Sequence, residues 1–280
     1  MTMQLFRKHI KPAWTFKSGK KIWRLLPGQG VLAVELRDTD NKETEFAALD
    51  ITTGSPLWQN LQFEERWWIT VNKFHRDVLL LQQFVKPDMP TPGKIFAVDA
   101  MTGKVLWQND ELALVNVVDD LVYGLRSTFT SEEIVGVNWR TGESAVTFSA
   151  DDPRTQEINV ALTREEYMLP VSLEELEDNP LSATPPVRVE AFPSEAKTPS
   201  LIETGADRRI IGYHLDAGTD EKGVHVYESH IKIIDRGGKV HFEDTTDRGV
   251  YTTLQDFYFV VDNILLYVRN SNEIVAVNLS

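Results

Sequence analysis

Nearly the same text stands twice in this chain. Residues 47–60 read AALDITTGSPLWQN and residues 96–110 read FAVDAMTGKVLWQND. Aligned on their glycines, Leu49-Asp50, Thr53-Gly54 and Leu57-Trp58 match Val98-Asp99, Thr102-Gly103 and Leu106-Trp107. A repeat at this spacing outranks any single motif, because it makes each copy one structural unit that buries its apolar face only against its neighbours. A third copy, EIVGVNWRTGESAV, puts Asn138 at the Asp position, Thr141-Gly142 in the turn and Val146 in place of the Trp. A fourth, HIKIIDRGGKVHF, keeps Gly238, Lys239 and Val240, with Phe242 where the Trp was. The fifth is split: EIVAVNLS ends the chain at Ser280, and SGKKIW near the start supplies Gly19, Lys20 and Trp23.

A second pattern precedes the turns. FHRDVLLL, NVVDDLVYGL and FVVDNILLYV are apolar runs broken by Arg76-Asp77, Asp119-Asp120 and Asp262-Asn263, as tight hairpins require. No segment carries a long 3.6-residue apolar period, so the chain reads as all-β. Each unit is then a four-stranded antiparallel blade. The split copy predicts a β-propeller closed by pairing of N- and C-terminal strands in one blade, since a ring leaves only short, protected edges. Residues 1–280 read as a single propeller domain of six blades, or five if 150–222 is an insertion. That stretch is acidic, Pro-rich and poorly periodic, and could equally be a degenerate blade.

FAVDAMTGKVLW resembles the repeat of the PQQ-type, quinoprotein-like β-propellers. The likeness is strong at 46–58 and 95–107, fair at 133–147, partial at 231–242 and across the termini, and absent between 150 and 222. It implies that Asp50, Asp99, Gly54 and Gly103 brace hairpins, and that Trp58 and Trp107 wedge between blades. Gly19 and Trp23 would do the same in the split blade. The dehydrogenases of that family are longer and exported, and use a quinone, calcium and often paired cysteines. This chain has no cysteine and shows no leader, so the resemblance points to the non-enzymatic branch with no cofactor.

Charge narrows the partners. A formal net charge of −13 argues against nucleic acid, which demands clustered cations, and against anionic lipid. No stretch reaches the length of a membrane span, and the start lacks the apolar core of a secretion signal. The expectation is a soluble, cytoplasmic monomer.

Catalytic motifs do not assemble. Gly142-Glu143-Ser144 lacks the second glycine of a nucleophile elbow. Asp38 to Lys42 has acids at calcium-loop spacing without the turn glycine or closing Glu. His225, His230 and His241 invite a metal, but on one strand His225 and His230 point to opposite faces, so no metal site is expected. Trp67-Trp68 could stack a sugar, although neighbours on a strand also diverge. One pattern survives. Strand B ends in Arg37, Arg126 and Arg269, with Gln83 at that place in a fourth blade. Guanidiniums around one mouth could bind a carboxylate or phosphate; alternatively each pairs with a nearby acid such as Asp38, Asp40 or Asp110. The expected function is a non-catalytic scaffold binding a protein partner or small anionic ligand at one face. The alternative is a carbohydrate-active hydrolase or lyase with two carboxylates at the mouth. The acidic segment at 173–200, with Glu174, Glu175, Glu177 and Asp178, would suit a partner-binding flap or a solvated loop.

Overall fold

The computed structural model describes residues 10–85, 92–161, 167–172, 192–204 and 208–280. The flap acids Glu174, Glu175, Glu177 and Asp178 lie outside them. Among the described residues one short helix accompanies the strands, which form five antiparallel sheets. No helix among them is long and apolar enough to cross a membrane. The chain divides into two compact units, one of residues 1–19 with 167–280 and one of residues 20–166.

The first described strand, β1 (Trp14–Lys17), belongs to the unit of residues 1–19 and 167–280. The 20–166 unit holds three four-stranded sheets, each a run of four consecutive strands. The first comprises β2 (Lys21–Gly28), β3 (Val31–Asp38), β4 (Glu43–Asp50) and β5 (Pro56–Leu61). The second is β6 (Ile69–His75), β7 (Val78–Phe84), β8 (Pro92–Asp99) and β9 (Val105–Asn109). The third is β10 (Ala113–Val118), β11 (Leu121–Ser127), β12 (Glu132–Asn138) and β13 (Ser144–Ser149), followed by α1 (Arg154–Val160). In the first two sheets the second and third strands carry continuous buried runs, Val31–Leu36 (with the buried Glu35 among them), Phe46–Leu49, Val78–Leu81 and Ile95–Val98. Such runs mark strands covered on both faces. First strands carry a bulge instead, at Trp23, Asn72 and Val115, where the register slips by one residue.

The repeated turns share one hydrogen-bond scheme. Asp50 Oδ1 accepts from the Thr53 amide at 2.8 Å and from its hydroxyl at 2.9 Å. Asp99 does the same for Thr102, and Asn138 Oδ1 takes the Thr141 amide. Gly54, Gly103 and Gly142 follow at φ of 70°, 71° and 73°, a left-handed conformation that a side chain resists. The tryptophans then reach the next sheet. Trp58 Nε1 donates to the Ala100 carbonyl at 2.8 Å, and Trp107 Nε1 to the Trp139 carbonyl at 3.0 Å. Each ring lies against the following turn glycine, so a Cβ on Gly103 would stand 2.8 Å from Trp58 and one on Gly142 would stand 2.6 Å from Trp107. The turn residue and the Trp are therefore one device, in which the ring fills a space that only glycine leaves.

The other unit holds two sheets. One orders β1 against the C-terminal strands β21 (Glu273–Asn278), β20 (Ile264–Arg269) and β19 (Tyr258–Val261). N- and C-terminal strands do share a sheet, but Gly19 and Trp23 do not supply the pairing strand. Trp14 stands opposite Ala276 and Phe16 opposite Ile274. The physical reason is alternation: in WTFK half-buried Trp14 and Phe16 alternate with exposed Thr15 and Lys17, as an outer strand requires. Gly19 falls in the link after β1, and Trp23 lies on β2 in the next sheet. The second sheet has five strands: β14 (Val171–Ser172), β15 (Lys197–Glu203), β16 (Arg208–Thr219), β17 (His225–Asp235) and β18 (Val240–Val250). Residues 150–222 are thus not wholly an insertion, since β14, β15 and β16 all come from them. Ile210, Ile231 and Ile233 of this sheet pack with Tyr258, Leu265 and Val275 of the other.

Candidate functional site

Of the four residues expected to line a mouth, Arg37 is the one that organises a surface. It lies near the end of β3, and its Nε donates to Glu35 Oε1 at 2.8 Å while its Nη2 donates to the Ile69 carbonyl at 3.2 Å. Glu35 is fully buried. Its second oxygen accepts from the Thr70 hydroxyl at 2.6 Å and the Val71 amide at 3.0 Å. A buried carboxylate survives only when its lone pairs are satisfied, and here three hydrogen bonds and the Arg37 charge do so. The ion pair with its hydrogen bonds ties the first sheet to β6.

The faces of that guanidinium are covered by aromatic rings. Its carbon stands 4.8 Å from the centre of the Trp23 ring and 4.9 Å from that of Trp67. Trp23 is presented by the β2 bulge, which inserts one residue between the pairs Ile22–Leu36 and Arg24–Glu35. Trp67 comes from the loop between β5 and β6, where the amides of Trp67 and Trp68 both donate to Glu65 Oε1. Lys42 Nζ lies 4.7 Å over the same Trp67 ring. Arg37 keeps only 12% of its side chain exposed, while Trp23 is 54% exposed. The result is a locked guanidinium carrying a solvent-facing indole. Cation–π contacts of this kind contribute about 0.5–2 kcal/mol each, more as water is excluded.

The remaining arginines take other roles. Arg126 donates to Glu133, its cross-strand neighbour, at 2.7 Å, with Glu111 3.6 Å away. Arg269 donates to Glu273, again its cross-strand neighbour, at 2.9 Å and to Asp244 at 3.0 Å. Gln83 stands opposite Lys94, which pairs with Asp110. The acids engaged are thus strand partners more often than the loop acids Asp38 and Asp40. Asp38 instead accepts the Asp40 and Asn41 amides, and the Asn41 amide bond holds its carboxyl below the usual range. The histidines separate: His225 lies by Asp216, His230 by Glu228 and His241 by Asp235. No three candidate ligands meet at one point among the described residues.

Sequence reasoning missed Trp23 and Trp67 as parts of one site. Trp23 read as part of a repeat and Trp67 as a sugar-stacking candidate or core, and the contact that joins them spans two strands, a bulge and a loop.

The profile of a family described as a domain of unknown function (DUF4905) matches residues 26–107, which covers β3 to β8 with the end of β2 and the start of β9. No curated protein matches the sequence significantly. Among solved structures, a eukaryotic initiation factor is similar at 12% identity and a TM-score of 0.34, over 93% of this chain and 52% of the other. The β-propeller domain of the Trilobed protease from Pyrococcus furiosus is similar at 7% identity and 0.29, over 90% and 64%. TolB from Acinetobacter baumannii is similar at 10% and 0.30, over 90% and 65%. The chain spans half to two thirds of the length of these structures. At such scores the fold rests on the chain's own sheets.

Proposed function

We propose that residues 1–280 form one quinoprotein-like β-propeller, a non-catalytic scaffold that binds a protein partner through the Trp23–Arg37 face. The propeller reading draws support from successive four-stranded sheets in which the Trp of one docks on the turn of the next, as blades do. The functional reading is carried by the Trp23–Arg37–Trp67 stack. Trp and Arg dominate the energetic centres of protein interfaces, and a rigid anchor loses little entropy on binding. A small anion at a shared mouth is the weaker reading, because Arg37, Arg126 and Arg269 each already hold a carboxylate.

The test is photo-crosslinking in cells of the source organism, with a photoreactive phenylalanine placed at Trp23 or at exposed Met101. A protein captured at 23 and not at 101, whose purified form binds the chain about thirtyfold more weakly after Trp23→Ala, fits this reading; the factor corresponds to about 2 kcal/mol for an interface anchor. Equal capture at both positions, or none at 23, would remove this face as the binding surface.

A further inference from the structure

We propose that the segment of the partner seated on this face is an acidic peptide, an inference that rests on the partner-binding reading above. Three exposed cations surround the stack. Lys21 stands opposite Arg37 and Arg24 opposite Glu35 on the paired strands, so both share the sheet face of those residues. Lys42 lies over Trp67. None of the three takes part in an ion pair among the described residues, whereas their neighbours Lys20 and Arg66 hold Glu45 at 2.6 Å and Glu43 at 3.0 Å. Arg24 spends one nitrogen on the Val71 carbonyl at 3.0 Å and keeps its charge uncompensated.

The nearby acids are largely committed. Glu35, Glu43 and Glu45 hold cations, and Asp38 is turned into its own loop. Asp40 is the acid of that loop left exposed. A basic, aromatic patch is conspicuous on a chain of net charge −13. The average field repels anions, so an anionic segment has a reason to settle only where cations are unpaired. Carboxylates of the peptide would pair with Lys21, Arg24 and Lys42, while an apolar side chain between them would cover the exposed indole of Trp23. Nucleic acid fits less well. Its affinity comes from neutralising many phosphates at once, and three cations in a negative field are few for that.

The experiment titrates the full chain against a fluorescein-labelled peptide of Asp, Glu and Phe, read by fluorescence anisotropy at low and high salt. A Lys-rich peptide and a single-stranded oligo(dT) serve as comparisons. The acidic peptide should bind, weaken with salt, and lose about two- to fivefold in affinity for each of Lys21→Ala and Lys42→Ala, the worth of an exposed ion pair. Trp23→Ala should cost more than either. Lys21→Ala should keep the urea midpoint of the parent, since its side chain is exposed, while Lys42→Ala should lower it by no more than the cation–π contact with Trp67 contributes. Tighter binding of the basic peptide or the oligonucleotide overturns the proposal, as does acidic-peptide binding that neither lysine variant weakens. A partner captured at position 23 alongside no acidic-peptide binding overturns the peptide assignment alone; lack of capture overturns the face itself.

Discussion

At the scale of single residues, the repeat is explained by one contact made twice. Gly103 and Gly142 are glycine for two reasons that can be separated. Each has a positive φ, and each lies under an indole. Gly30 has a comparable φ of 78° with nothing within 4 Å of a would-be Cβ. Gly30→Ala should therefore cost only the left-handed penalty, about 1–2 kcal/mol. Gly103→Ala should cost that plus about 1–3 kcal/mol for displacing Trp58. Urea unfolding of both variants measures the difference, and equal losses would mean that the ring does not brace the turn. Asp50, Thr53 and Gly54 were legible in sequence because this chemistry is local, closed within five residues. The stack of Trp23 on Arg37 was not. It depends on a bulge that no composition signals, and on a loop residue 44 positions away.

At the scale of elements, the long strands β16 and β17 carry a feature that the repeat does not explain. His214 is buried on β16 with Nδ1 unpartnered, packed edge-on against Phe257. His230 on β17 stacks on Tyr213 at 5.2 Å, with Nε2 buried. Burial pushes both imidazoles below their ordinary 6.5, and does the same to His75 at the end of β6. The folded state thus binds these protons more weakly than the unfolded chain does. Stability from these sites is fully present above pH 6.5 and drains away as pH falls through the depressed folded values. The urea midpoint should accordingly drop between pH 7.5 and pH 5, with a shallower slope in His214→Gln. A midpoint flat across that window would contradict neutral burial. Of the two, β17 was legible as one strand in the fourth copy of the repeat, whereas β16 falls in the poorly periodic stretch 150–222. The terminal strand shows the opposite failure: SGKKIW looked like GKVLW, yet Trp14–Lys17 makes the pairing because its four residues alternate.

At the scale of the whole molecule, a braced all-β scaffold presents the exposed Trp23–Arg37 face proposed for binding. In the 20–166 unit, three sheets are linked by Trp58 and Trp107, and the third ends the series with Val146 in place of a Trp. The stack sits on the first of these sheets. Its guanidinium is held by a buried carboxylate, so binding there needs little reordering. The most direct measurement is hydrogen exchange on the full chain with and without the partner captured at position 23. Added protection confined to residues 21–24, 37–42 and 66–68 is the predicted result. Protection elsewhere, with those segments unchanged, would contradict it.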